Sequence, residues 1–261
     1  MYDFTFLRPG SIAEAVEALQ DEDAQALGGG QTLIPTMKQR LAAPTTLVSL
    51  TNIPELFGVC RDGDRLIIGG ATPHAVVARE ATSAYPGLAA LAGQIGDPAV
   101  RNRGTIGGSL ANNDPSACYP AAALGGNAVI RTNAREIPAE SFFDGMFGTA
   151  LDEGEIIVSV DFPIPEAAAY VKFPQPASRF ALVGAFVARF ADGVRVAITG
   201  ASEEGVFRWS EAEEALSDTF SPAALEGLSV GDDGMIGDIH AAPAYRAHLV
   251  AVMTRRACAM L

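Results

Sequence analysis

Cysteine is scarce in this sequence: Cys60, Cys118 and Cys258 are the only three in 261 residues. They lie far apart and form no CxxC pair, so a disulfide framework, a zinc site and an iron–sulfur cluster carried by this chain are excluded. Such isolated thiols fit a reducing, cytoplasmic setting. Positive charge is also scarce, with 18 lysines and arginines against 31 aspartates and glutamates and a formal net charge of −13. The excess is spread along the chain rather than gathered in a tail, which argues against binding to nucleic acid or to an anionic lipid surface. An anionic ligand must then be held by local donors. No apolar run reaches the roughly 18 residues of a membrane span, and Met1-Tyr2-Asp3-Phe4 lacks the basic start and apolar core of an export signal. The expectation is a soluble protein without membrane insertion. His74, His240 and His248 share no ligand spacing, so each reads as a surface or satisfied histidine and no metal site is predicted.

Apolar residues make up 49% of the chain, enough for a core divided between one large and one small domain. Ser11 with Glu14 forms a capping box ahead of Ile12, Ala15, Val16 and Leu19, which predicts an amphipathic helix over 12–20. Residues 45–50 alternate weakly like a strand. Residues 59–69 read as a hairpin turned at Asp62-Gly63-Asp64, and 127–138 as a second around Thr132-Asn133-Ala134. Thr72 before Pro73 marks a helix start with the threonine as cap, and 86–94 should be a short helix. Residues 156–160 are strand-like and end at Pro163. A long hairpin over 180–199, turned at Ala191-Asp192-Gly193, and helices near 210–217 and 243–259 complete the chain. Pro163, Pro165, Pro174 and Pro176 cluster where the texture changes, which places a domain boundary between 1–168 and 169–261. The fold class is α+β with mixed sheets.

Two glycine-rich stretches stand out, Gly28-Gly29-Gly30-Gln31-Thr32 and "GTIGGSLANNDPSACYP" at 104–120. In an acidic protein the donors best able to reach a diphosphate are main-chain N–H groups, and glycine leaves the approach open because it has no Cβ. Each charge-assisted N–H bond contributes roughly 1.5–3 kcal/mol, so two such loops can hold a dinucleotide without a lysine. The chain has no GK[ST], and its first loop is GGG rather than GxGxxG, so it is neither a nucleoside-triphosphate P-loop nor a Rossmann fingerprint. Taken singly, each loop reads as a tight turn. Valine at Gly29 or Gly107 is expected to abolish cofactor retention while leaving much of the core folded.

Residues 26–40 (ALGGGQTLIPTMKQR) and 96–120 (GDPAVRNRGTIGGSLANNDPSACYP) resemble the paired FAD-binding motifs of the medium subunit of molybdenum hydroxylases. This is the group of aerobic carbon monoxide dehydrogenase and xanthine dehydrogenase, and the likeness runs over nearly the whole chain, including FPQPASRFALVG at 173–184. It implies a two-lobed FAD-binding domain of the vanillyl-alcohol-oxidase (p-cresol methylhydroxylase) type, with lobes of about 1–55 and 56–168. Behind it would lie a small C-terminal α+β domain with a three-stranded antiparallel sheet. It also implies that Leu27, Gly28, Gly29, Gly30, Gln31, Thr32 and Leu33 contact the diphosphate and adenosine side. Thr105, Ile106, Gly107, Gly108 and Ser109 would supply a second set of donors, with Asn112 beside them. Asp114 would bond ribose or ribityl hydroxyls, Ile157 would lie at the adenine end or middle, and Ile95 and Phe180 would bracket the isoalloxazine. Where the family pattern has aspartate before "YP" this chain has Cys118, and where it often has aspartate near the later motif this chain has Arg179, so Asp114 or water takes the first role.

The remaining candidates have plainer readings. Arg101 and Arg103 could meet phosphate but read first as solvated or ion-paired, Phe142, Phe143 and Phe147 could face a ligand but read first as core, Lys38 and Lys172 could approach a flavin carbonyl or a partner surface but read first as exposed, and Cys118 reads as an inert thiol without a basic neighbour in sequence. The resemblance implies an FAD-carrying electron-transfer subunit working with a large molybdenum–pterin subunit and a small subunit bearing 2Fe-2S clusters. A dimer of such heterotrimers would pass electrons to an external acceptor. The alternatives are a stand-alone FAD-dependent oxidoreductase acting on its own substrate, and an acidic binding scaffold whose glycines merely turn.

Overall fold

A computed structural model describes residues 1–261. The chain begins with β1 (Thr5–Leu7), α1 (Ile12–Ala18), β2 (Ala24–Leu27), α2 (Leu33–Lys38) and β3 (Thr46–Ser49). The three strands form a parallel sheet in the order β1-β3-β2. α1 starts as its capping box requires: the Ser11 hydroxyl accepts from the Glu14 N–H at 3.2 Å. The Glu14 carboxylate reaches one residue further back than the motif predicts and accepts from Gly10 N–H at 2.7 Å. The buried face of α1, Ala15 and Leu19, closes a small core with Val48, Ile53 and Leu56.

The middle of the chain contains β4 (Val59–Asp62), β5 (Arg65–Gly69), α3 (His74–Glu80), α4 (Pro86–Gly93), α5 (Pro98–Arg101), α6 (Ile106–Asn112) and α7 (Tyr119–Gly125). β6 (Val129–Thr132), β7 (Glu136–Pro138) and β8 (Ile157–Pro163) follow. Its five strands pair antiparallel in the order β4-β5-β8-β6-β7, so both expected hairpins form and β8 is the central strand that joins them. The first hairpin turns where glycine permits a left-handed residue, Gly63 at φ 59°. The Thr72 cap does not form. Pro73 takes the N-cap position of α3, and the buried Thr72 hydroxyl instead accepts from Gly58 N–H at 2.9 Å and donates to its carbonyl at 3.1 Å.

The chain ends with β9 (Ala167–Pro174), β10 (Ala181–Phe190), β11 (Gly193–Ser202), β12 (Gly205–Arg208), α8 (Ser210–Asp218) and α9 (Pro243–Cys258). The C-terminal sheet has four antiparallel strands, β12-β11-β10-β9, not the three expected. β9 opens on three alanines, which carry little strand propensity, and β12 is only four residues long. β10 is buried on both faces, and its alternation sorts its side chains: Phe186 and Ala188 join the central core, while Val183, Ala185 and Val187 join α8 and α9. One sheet therefore anchors both halves, and its β9–β10 bend meets the cavity described next.

Candidate functional site

β2 runs into Gly28-Gly29-Gly30, with Gly30 at φ 69°, and the chain then enters α2. The main-chain N–H groups of residues 28–33 have no acceptor within the protein. Gln31 and Thr32 are exposed and Leu33 opens α2, where free N–H groups are expected, but the open amides of the partly buried Gly28, Gly29 and Gly30 are unusual, because such donors are nearly always paired. The second loop is different. Thr105 caps α6 by accepting from Gly108 N–H at 3.1 Å, and the amides of Ile106, Gly107 and Ser109 go to Thr72, Gly70 and Thr105 carbonyls at 3.2, 2.9 and 3.0 Å. Of residues 105–109 only Thr105 keeps a free N–H, so most of the open donors are in the first loop.

The two loops touch, and that contact explains their glycines. A Cβ on Gly29 would fall on the Arg103 carbonyl and lie 2.6 Å from Gly104 Cα, and one on Gly107 would lie 2.6 Å from the Gly70 carbonyl oxygen. These two glycines let backbones meet; they do not simply keep a ligand's path clear. The expectation that valine at either position spares the fold is therefore corrected. Gly108 differs, since a Cβ there would meet only the Thr105 hydroxyl, at 2.9 Å.

A cavity of about 490 Å³ opens between the loops. Its wall takes in Leu27, Gly28, Gly29, Gly30, Gln31, Thr32, Leu33, Ile95, Thr105, Gly107, Gly108, Ser109, Asn112, Asp114, Cys118, Ile157 and Phe180. Of the residues expected at the cofactor only Ile106 lies off this wall: its side chain is fully buried in the central core and its amide is bonded to Thr72. Asp114 accepts from Ser116 N–H at 2.8 Å, yet burial raises its pKa above the ordinary value, leaving a carboxyl in the wall able to bond hydroxyls. Phe180 is half exposed, and Ile157 is buried beneath the floor.

Several plain readings are overturned. Arg101 is partly buried and pairs with no carboxylate: its guanidinium donates to the Ile95 and Gly96 carbonyls at 3.0 and 2.9 Å, holding the turn that carries Ile95. Phe142 is core as expected, whereas Phe147 is exposed at φ 61°. Lys172 is not a free surface lysine, because its ammonium bonds the Gln94 and Arg179 carbonyls and lies 3.5 Å from Cys118 Sγ, which gives that thiol a basic neighbour from a distant part of the chain. Lys38, His240 and His248 are exposed.

His74 is the largest departure. It is 4% exposed, lines the cavity, and its buried Nδ1 has no protein partner, with the Tyr119 ring at 5.3 Å. Burial, then repulsion from Arg101, lowers its pKa from 6.5 to about 4, so the cavity presents a neutral imidazole. Above pH 6.5 the histidine is neutral folded or unfolded. Between 6.5 and about 4 only the unfolded chain takes up the proton, so stability falls with pH across that window and stops falling below it. The expected loss is about 3 kcal/mol, and a His74→Gln chain should show a flatter dependence of thermal midpoint on pH over the same interval.

Open amides, a carboxyl and apolar side chains on one cavity wall define the class, a dinucleotide-cofactor domain. The family described as "FAD binding domain in molybdopterin dehydrogenase" matches residues 2–165. The chain is 33% identical to the nicotine 6-hydroxylase medium subunit of Paenarthrobacter nicotinovorans, over 96% of this chain and 94% of that one. It is 32% identical to the carbon monoxide dehydrogenase medium chain of Afipia carboxidovorans, over 97% and 95% respectively. Quinoline 2-oxidoreductase from Pseudomonas putida 86 superposes with a TM-score of 0.88 at 28% identity, covering 98% of this chain and 96% of that one. The protein belongs to the FAD-binding medium subunits of the molybdenum hydroxylases, and its cofactor is FAD.

Proposed function

We propose that this chain takes electrons from 2Fe-2S clusters on a small partner subunit and passes them to an external acceptor, while a large molybdenum–pterin subunit carries out the hydroxylation. The observation that carries this reading is the run of unpaired amides at residues 28–33 on the wall of a cavity that also holds Asp114, Ile95 and Phe180. FAD, when bound, exchanges electrons singly or in pairs, which suits a junction between one-electron clusters and a two-electron acceptor. The chain's part is to bind and orient it. The first loop offers the diphosphate main-chain donors in a protein of net charge −13, and Asp114 offers an acceptor to the sugar hydroxyls. Ile95 and Phe180 set apolar walls for the ring, and the Ile157 segment floors the middle.

The division at 168/169 and the vanillyl-alcohol-oxidase-type lobes belong to this proposal, as do a dimer of heterotrimers and a cytoplasmic setting. Relatives named for nicotine, carbon monoxide and quinoline have medium chains or structures similar to this one, which supports placing substrate choice on another subunit. No helix is long and apolar enough to cross a membrane. The test is to purify the chain alone and with its co-expressed partners, then mix each with candidate hydroxylation substrates without oxygen. The expected result is one FAD per chain in both samples and flavin bleaching only in the complex. Bleaching in the isolated chain would establish the stand-alone oxidoreductase, and a colourless chain that ignores added FAD would leave only the acidic scaffold.

A further inference from the structure

Lys172 lies on β9, and its ammonium donates to the Gln94 carbonyl at 2.9 Å, the Arg179 carbonyl at 2.7 Å and Cys118 Sγ at 3.5 Å. An ammonium has three donors, so all are committed, each to a different segment. Gln94 precedes Ile95, and Arg179, held at φ 63°, precedes Phe180, so one side chain ties together the two segments that carry the apolar walls. None of its partners is a carboxylate. Lys172 is also the only lysine on the cavity wall, in a protein whose net charge is −13. The carboxylates of that wall have other partners: Glu155 pairs with Arg135 at 3.0 Å, and Asp114 accepts from Ser116.

Resting on the FAD reading above, we propose that Lys172 is the positioning residue of the ring end. It fixes Ile95 and Phe180 relative to each other, and its uncompensated charge favours the reduced, more negative state of the bound isoalloxazine over the oxidised one. A cation beside a partly enclosed wall is screened less than one in water, so its charge is felt by a ligand in the cavity. Arginine would keep the charge and several donors, whereas glutamine would keep donors for carbonyls and lose the charge.

The experiment is a spectroelectrochemical titration of the flavin in the purified chain, run at saturating FAD so that weakened affinity does not leave the site empty. K172Q should lower the preference for reduced over oxidised flavin about tenfold, a midpoint potential about 30 mV more negative for a two-electron couple, while K172R stays within about threefold of the parent. K172Q at the parental potential would overturn the inference whatever its affinity, since a purely structural lysine gives that outcome. A K172R chain displaced as far as K172Q would overturn it as well. A parent chain that takes up no FAD would remove the cofactor reading itself, a result distinct from FAD-loaded K172Q with an unchanged potential.

Discussion

Gly29→Ala is expected to lower the thermal midpoint by about 6–12 °C, the equivalent of about 3 kcal/mol for a chain of this size, and to leave the purified protein without FAD. The added methyl would strike the main chain of Arg103 and Gly104, which has no rotamer to turn away. Gly107→Ala should behave alike, because its methyl would meet the carbonyl of Gly70 that already accepts the Gly107 N–H at 2.9 Å. Gly108→Ala makes the contrast. Its methyl would meet only the Thr105 hydroxyl and otherwise stand on the cavity wall, so the cost should be about 1 kcal/mol, the size of a weakened helix cap. FAD affinity should nevertheless fall about tenfold, or about 1.4 kcal/mol. Differential scanning fluorimetry without flavin and a fluorescence-quenching titration with it separate the two classes. Equal thermal losses in all three variants would show that the loop contact is not where the fold is vulnerable.

That contrast marks the boundary between what the sequence revealed and what it concealed. The glycine stretches were legible as a site because glycine repetition is local, and the hairpins at 59–69 and 127–138 were legible because their turns are short and their strands adjacent. Helix α6 was not, since IGGSLAN has poor helical propensity; it forms because Thr105 caps it, Ile106 and Leu110 are buried one turn apart, and Gly107 lies flush on Gly70. Helix α7 is buried throughout, so it shows no polar face for a periodicity to reveal. β9 and β12 were missed because each carries only a short run of strand-favouring residues, Tyr170-Val171 in the one and Val206-Phe207 in the other.

The same division holds inside the cavity. The amide donors were assigned equally to both loops, but hydrogen bonding that only the fold creates uses up most of the second set. His74 and Lys172 carried no motif at all. Lys172 reaches Gln94 across 78 positions of sequence, and His74 becomes a cavity residue because its N–H bonds the Gly104 carbonyl at 2.9 Å, laying α3 against the second loop. Charge carried no positional information: the acidic balance leaves an anionic ligand to local donors, but it could not show that Lys172 would stand on the cavity wall.

Arg246→Met should destabilise the protein by about 3–5 kcal/mol and loosen the same end of the cavity from behind. Arg246, on α9, is 3% exposed; its guanidinium donates to the Leu182 and Gly200 carbonyls at 2.6 and 2.7 Å and to Asp238 at 2.7 Å. Methionine fills similar volume but leaves two buried carbonyls without this donor and Asp238, which keeps the His240 and Ala241 N–H groups, without its cation. The consequence is not confined to the C-terminal sheet. Gly200 N–H bonds the Pro115 carbonyl at 2.7 Å, and the Thr199 hydroxyl lies 2.9 and 2.7 Å from the Pro115 and Ala117 carbonyls, so the ends of β10 and β11 hold the segment that carries Asp114, Ser116 and Ala117. Weakening that hold should raise the FAD dissociation constant several-fold, although Arg246 lies outside the cavity wall. Denaturant unfolding of the flavin-free chain gives the first number and equilibrium FAD titration of the folded fraction the second. A variant that loses stability but binds FAD as tightly as the parent would show that the 114–117 segment keeps its place without the sheet behind it.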